Sequence, residues 1–345
     1  DLWGGVADPT TGRLWRADTL QVVHSAIKAV GAVCAHLLVA DGRLDLAAPV
    51  ARYWPEFAAE GKERLPVGWL LSHQAGLPVL DRPLPMAAAL AWQPAVDALA
   101  AQRPAWAPGT AHGYHALTHG WLIGEVLRRV GGRGTGAMVA ERIAAPLGLD
   151  LWIGLPPAEL PRVSRTITPA GATASDQPSD QASDQASDQA SGRAGLGHRA
   201  MRVTTTPFDL NDPATLVAEL PSVNGVCTAR ALARCYAALL GPVDGVRLLD
   251  RAALGVATAE RAAGVDRVLG VPTRYSLGFS LPVPGVFWAG PGVFGSAGLG
   301  GSLGFADPGT GTGFGYVMNR LGAGPGGDAR AARLERVQGG VDISV

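Results

Sequence analysis

The chain has 345 residues, a length that fits one large domain or two intermingled ones. Its 29 Lys and Arg balance 29 Asp and Glu, which leaves no surplus positive charge for gripping a phosphate backbone or an anionic lipid surface, so no nucleic-acid partner is expected. A 47% apolar content with 47 Gly and 26 Pro describes a globular chain with a large core and many turns.

The sequence opens at Asp1 with no Met and no basic-then-apolar leader, which reads as a chain truncated or processed upstream. Leu2-Trp3, the turn chemistry of Asp8-Pro9-Thr10-Thr11-Gly12 and then Leu14-Trp15 predict a hairpin. From Ser25 an apolar run without proline predicts one buried helix that stops at Asp41-Gly42. Its most apolar part, Ala29 to Ala40, falls short of the roughly 20 residues of a spanning helix, and no membrane span is expected. Helical periodicity recurs over Leu70–His73, Met86–Ala101, Leu117–Val130, Thr135–Ile143 and Thr228–Leu240. Residues 175–190 are four copies of a Ser-Asp-Gln-Pro/Ala unit that cannot bury enough apolar surface to order itself. Beyond Leu240, Tyr275–Val283, Gly285–Ala289, Gly301–Phe305 and Gly313–Met318 read as antiparallel strands.

Strand signals at both ends with helices between them predict an α+β fold, in which an antiparallel sheet built from N- and C-terminal segments and flanked by helices carries a mostly helical insertion. The expected division is 1–40 with 245–345 as the sheet domain and 41–244 as the helical one, with 170–200 a disordered low-complexity insertion. Cys34, Cys227 and Cys235 are odd in number and unpaired in spacing, which fits reduced thiols and a cytoplasmic chain.

Two serine signatures compete. Gly300-Gly301-Ser302-Leu303-Gly304 fits the nucleophile elbow, but that motif needs a helix after the serine and a histidine downstream. Phe305-Ala306-Asp307-Pro308-Gly309 is a turn between strands, and no histidine follows His198. The other signature is Ser25-Ala26-Ile27-Lys28. Residues three apart share a helix face, so Lys28 can reach the Ser25 hydroxyl, and the helix start offers N–H groups to an oxyanion. Apolar neighbours would depress the lysine pKa, as a base requires. By itself the motif also reads as an N-cap serine beside a solvated lysine.

Context decides between those readings. After Lys28 come Leu44-Asp45-Leu46-Ala47-Ala48-Pro49-Val50, Tyr53-Trp54-Pro55, Leu70 to Pro78, Trp106 to Thr110, Tyr114-His115-Ala116-Leu117-Thr118-His119-Gly120-Trp121, Asn224-Gly225, and Gly300 to Pro308. In that order and spacing the set resembles the serine β-lactamase-like family, nearest to its class C β-lactamase and family VIII esterase branch, over nearly the whole chain outside 170–200. The resemblance implies an acylated nucleophile at Ser25, an activating lysine at Lys28 and a proton-shuttling tyrosine at Tyr114. A phenol of pKa ~10 would serve at neutral pH if the Lys28 charge favoured its phenolate. It further implies that Ser296, Ala297 and Gly298 border the substrate, as would Ala116, and that the Leu299 and Ser25 N–H groups form an oxyanion hole.

Three departures stand out. Ser296 replaces a basic or aromatic residue, and Ala116 replaces the amide of a Tyr-x-Asn motif. The helix and two strands that normally precede the segment matching Asp1–Asp8 are also missing, so an exposed sheet edge is expected. The first two weaken the expectation of β-lactamase activity and favour a small ester or amide substrate. An acyl transfer to an amine, or an impaired homologue, are the other readings, and the oligomeric state is not legible. His112, His115 and His119 superficially resemble a metal set, but Gly113 interrupts any shared helix, so no metal is expected and support of Tyr114 is the better role. His73 reads as a structural hydrogen-bonding residue, and His24, next to the nucleophile, carries no assigned role. The glycines from Gly309 to Gly315 have no lysine and no following helix, so they are no phosphate loop, and no cofactor is expected.

Overall fold

The computed structural model describes residues 1–168, 195–283, 292–322 and 330. The 175–190 repeat and the strand expected at 285–289 lie outside the described residues.

The predicted hairpin forms as β1 (Val6–Asp8) and β2 (Arg13–Leu14). A second small sheet aligns β3 (Gln21–Val22), β4 (Leu151–Trp152) and β5 (Val226–Cys227), with β5 central and antiparallel to both neighbours. From β3 a 3₁₀ turn, His24–Ile27, leads into α1 (Lys28–Ala40). Every α1 residue from Lys28 to Leu38 is buried, as expected of a helix apolar on all sides, and this helix is the axis of the main core.

Around it lie α2 (Val67–Leu71), α3 (Met86–Leu90), α4 (Gln93–Ala101), α5 (Thr118–Gly131) and α6 (Thr135–Val139), which continues to Leu147. The single helix expected over Met86–Ala101 is broken at Trp92, whose φ is 68°. Pro94 has no N–H to give the Leu90 carbonyl four residues back and its ring would clash there, so α3 ends at Leu90 and Pro94 sits in the first turn of α4, while the Trp92 indole N–H is held by Glu125 Oε2 at 2.9 Å. Within the stretch expected to be a disordered insertion, Leu196–Met201 forms helix α7.

The C-terminal part supplies α8 (Ala229–Leu240), α9 (Arg251–Thr258), the hairpin β6 (Ala262–Val265) with β7 (Pro272–Tyr275), and the sheet β8 (Phe294–Ala297), β9 (Leu303–Asp307) and β10 (Thr312–Tyr316). These strands are antiparallel in the order β10-β9-β8, and Ser280 bridges Tyr275 to Gly295. The molecule is α+β. Among the described residues β1 and β2 pair with each other, and they meet the C-terminal segment through Asn319, whose Nδ2 donates to the Val6 and Ala7 carbonyls at 2.9 and 3.1 Å.

Helix α8 lies on β9 and β10, and the glycines of β10 make room for it. A Cβ on Gly313 would stand 2.4 Å from both Ala233 O and Ala237 N, and one on Gly315 would stand 2.3 Å from Ala229 O. The glycine-rich run is therefore a packing surface for a helix backbone. Because backbone cannot yield as a side-chain tip can, Gly313→Ala should lift α8 off the sheet and cost roughly 1–3 kcal/mol. Thermal denaturation should show the melting temperature falling by several degrees, and an unchanged value would contradict this packing.

Candidate active site

Ser25 projects from a tight turn. Val23 N–H donates to Gly225 O at 2.8 Å and Ala26 N–H to Val23 O at 3.1 Å, so the chain swings from β3 into α1 through the five residues Val23 to Ile27. Gly225 is pressed against this turn, since a Cβ there would stand 2.2 Å from Ile27 Cγ1. His24 takes φ 50°, in the left-handed region that costs a non-glycine residue energy, directly before the serine.

Lys28, one turn on, is 4% exposed. Its Nζ stands 2.8 Å from Ser25 Oγ and donates to Ser222 O at 3.1 Å. Burial drives its pKa well below the ordinary lysine value. The structure thus brings the Ser-x-x-K pair into hydrogen-bonding contact and adds Ser222, which the sequence did not point to: a backbone carbonyl leaves no side-chain signal.

Tyr114 comes from the loop before α5. Its ring lies 5.0 Å from Lys28 Nζ, and Ser25 is a hydrogen-bonding partner for its oxygen. Burial outweighs that contact and pushes its pKa up to about 12, with the Asp266 carboxylate adding to the rise. The expectation of a phenolate favoured by a lysine charge is therefore corrected. Burial destabilises both charged forms, which biases the pair towards a neutral amine facing a neutral phenol.

Strand β8 reaches the turn from the other side. Ser296, 7% exposed, donates its hydroxyl to Ser25 O at 3.0 Å, so it ties the strand to the Ser25 backbone. A Cβ on Gly298 would stand 2.2 Å from Val23 O. Leu299 then opens a 3₁₀ turn, Leu299–Gly301, and the first N–H groups of such turns are not used within them. Ala297 is half-buried against the Val293–Leu303–Phe305–Phe314 cluster. Ala116 is buried among Val79, Trp106 and Val268 and offers no polar group. Ser302 is fully buried between the 3₁₀ turn and β9, and its hydroxyl finds no partner among the described residues. Strand β9, not a helix, follows it directly, so it lacks the geometry of a nucleophile elbow.

Behind Tyr114 is a histidine array. His115 Nε2 accepts from Leu77 N–H at 2.9 Å, and its Nδ1 lies 2.7 Å from Gly113 O, an arrangement that fixes the neutral tautomer with the proton on Nδ1. His73 Nδ1 accepts from His115 N–H at 3.2 Å, the loop-tying bond its sequence context suggested. The His73 ring centroid is 5.0 Å from Tyr114, 5.0 Å from His119 and 4.7 Å from Tyr275. Burial, their mutual proximity and Lys28 lower the pKa of His73 and His119 well below 6.5, and that of His115 falls to about 4. His112 instead faces Thr273 Oγ1 at 2.9 Å. Among the described residues no group of three or more His, Cys, Asp or Glu side chains is arranged to hold a metal ion. His24 is buried with Nε2 unpartnered among the described residues, and its pKa falls to about 4 through burial and the adjacent Lys28.

A family model described as Beta-lactamase matches residues 1–338. The chain is 39% identical over 328 residues to "Esterase/beta-lactamase LipL" of Mycobacterium tuberculosis (strain ATCC 25618 / H37Rv), spanning 93% of this chain and 74% of that one. Among solved structures it resembles a penicillin-binding protein homolog from Caulobacter crescentus at 38% identity and TM-score 0.84, over 98% of this chain and 88% of that one. It also resembles a family VIII carboxylesterase at 38% identity and TM-score 0.86, over 97% and 87% of the two chains.

The opposed shifts of Lys28 and Tyr114 define a pH window. Ser25 should react fastest where Lys28 is a free amine and Tyr114 still carries its proton. The rate of labelling by a fluorophosphonate should therefore rise through a lysine pKa displaced below 10.5, hold level, and fall only as the phenol ionises near pH 12. Lys28→Arg puts a permanent cation there that cannot accept a proton, and should lower the plateau by roughly 10²- to 10⁴-fold. A profile that Lys28→Arg leaves unchanged would remove the amine from the chemistry.

Proposed function

The chain belongs to the Beta-lactamase family, and on that premise we propose that it is a serine hydrolase that cleaves small and medium carboxylic esters through an acyl-enzyme on Ser25. The observation that carries the reading is the 2.8 Å approach of the Lys28 amine to the Ser25 hydroxyl, at a site where burial lowers the lysine pKa well below its ordinary value. A free amine at that distance is a base aimed at the proton that must leave as the oxygen attacks.

In the proposed cycle Ser25 Oγ attacks the ester carbonyl while its proton passes to Lys28 Nζ. The tetrahedral oxyanion is received by the N–H groups of Ser25 and Leu299, both early in 3₁₀ turns, with the N-terminal end of α1 behind Ser25. As the ester C–O bond breaks, Tyr114 gives its phenolic proton to the departing alkoxide, and the Lys28 ammonium returns a proton to the phenolate. The amine is then free again. For deacylation a water molecule attacks the acyl carbonyl, Tyr114 takes its proton while passing its own to Lys28, and the Lys28 ammonium protonates Ser25 Oγ as the acyl C–O bond breaks, which releases the carboxylic acid and restores the amine, the phenol and the serine. The Ser222 carbonyl keeps the lysine aimed throughout, because it accepts a second N–H of Nζ.

Two features support an ester over a β-lactam. A substrate carboxylate would need a cation beside β8, and that position holds Ser296, a neutral hydroxyl engaged with Ser25 O. A lactam side chain would need an amide near Tyr114, and Ala116 is packed into an apolar cluster. A charge-assisted hydrogen bond contributes roughly 1.5–3 kcal/mol, so its loss lowers kcat/KM for anionic substrates by about one to two orders of magnitude while leaving neutral esters unaffected. The expected outcome is turnover of nitrophenyl butyrate, little or none of a cephalosporin, and intact-mass labelling by a fluorophosphonate that disappears in Ser25→Ala. Labelling elsewhere, or a cephalosporin cleaved faster than the ester, would overturn the reading.

A further inference from the structure

Asp266 lies at the start of the turn joining β6 to β7, more than 150 positions from Tyr114, and it is fully buried. Its Oδ1 accepts three backbone N–H groups: those of Val268 and Leu269 in its own turn, at 2.8 and 2.9 Å, and that of Tyr114, at 3.0 Å. Its Oδ2 accepts the hydroxyls of Thr273 and Tyr275, both at 3.3 Å. Two of these five donors come directly from groups that frame the site, since the Tyr275 ring lies nearly parallel to Tyr114 at 6.4 Å and meets His73 edge-on. The hairpin is clamped to the same loop by Arg267 N–H, which donates to His112 O at 3.1 Å.

We propose that Asp266 is a positioning residue, which sets where the Tyr114 hydroxyl stands relative to Ser25 and Lys28. The proposal rests on the Ser25–Lys28–Tyr114 reading above and deepens it. Two carboxylate oxygens hold Tyr114 at separate points, one through its own amide and one through the neighbouring ring of Tyr275. Rotation or withdrawal of the loop would break both. The carboxylate is also the negative charge that faces the phenol. The other titratable and charged groups around it are Lys28 from α1, His73 from the loop after α2, His112, His115 and His119 from its own segment, and Tyr275 with Arg267 from the hairpin. The histidines His73, His115 and His119 and the lysine are biased towards their neutral forms by burial, and the Arg267 guanidinium lies over Trp106. Removing the Asp266 charge should therefore make the phenolate easier to form.

The test uses the full chain with Asp266→Ala, Asp266→Asn and, as a control in the same turn, Arg267→Ala. Asp266→Ala should lower kcat for nitrophenyl butyrate by roughly 10- to 100-fold with KM little changed, the size of loss expected when a reacting group is displaced by a fraction of an ångström to an ångström. Asp266→Asn retains an oxygen for the Tyr114 amide, so it should recover most of kcat while moving the alkaline limb of the pH profile to lower pH. The same displacement should appear when Tyr114 is titrated by NMR of ¹³C-labelled tyrosine, assigned with Tyr114→Phe, in a Ser25→Ala background that carries out no acyl chemistry. That last measurement separates the two ideas: hydrolysis surviving Ser25→Ala defeats the nucleophile assignment, while the Tyr114 titration still reports on Asp266. An Asp266→Asn titration superimposable on its parent, or an Arg267→Ala variant with the same loss and the same shift, would overturn the proposal. The asparagine variant decides the matter even if Asp266→Ala does not fold.

Discussion

Burial of the Lys28 amine without a counter-ion among the described residues is the constraint from which the site follows. A lysine charge taken out of water with no carboxylate partner costs several kcal/mol, and the inexpensive response is to release the proton. The partners of Nζ are a hydroxyl and a carbonyl, Ser25 Oγ and Ser222 O, which suit a neutral amine as well as an ammonium. The helix that carries Lys28 is buried on every side along most of its length, so the amine has no route to solvent by bending its stem away. The reactivity proposed for Ser25 would in this sense be a property of the whole core.

The same burial explains why the neighbouring groups share one electrostatic character. His73, His115 and His119 all lose basicity, while Tyr114 loses acidity. Each neutral group spares the next from facing a charge, and Asp266, with five donors directed at its two oxygens, is the carboxylate among them.

Mechanical definition comes from backbone contacts. Gly225 and Gly298 press against the turn around Ser25 from two directions, and the Ser296 hydroxyl ties β8 to the serine's own carbonyl. His24 holds left-handed backbone beside Ser25, a conformation sustained by its surroundings. The two elements that would supply N–H groups to an oxyanion thus cannot drift apart without breaking packing as well as a hydrogen bond.

The α+β class, the buried first helix and the Ser25–Lys28 pairing were legible in the sequence because they rest on local periodicity and on a spacing of three within one helical turn. The order of separated motifs named Tyr114 and the β8 strand through a family resemblance, without saying how they meet. The break at Trp92 and the helix at Leu196–Met201 were missed, the first because a single proline competes with strong helical periodicity and the second because its flanks are low in complexity. Only the tertiary structure decided the protonation states, since desolvation depends on what the rest of the chain packs over a side chain. Ser222 acts through a carbonyl that every residue possesses, and Asp266 meets Tyr114 across more than 150 positions, so neither contact leaves a mark in any local pattern.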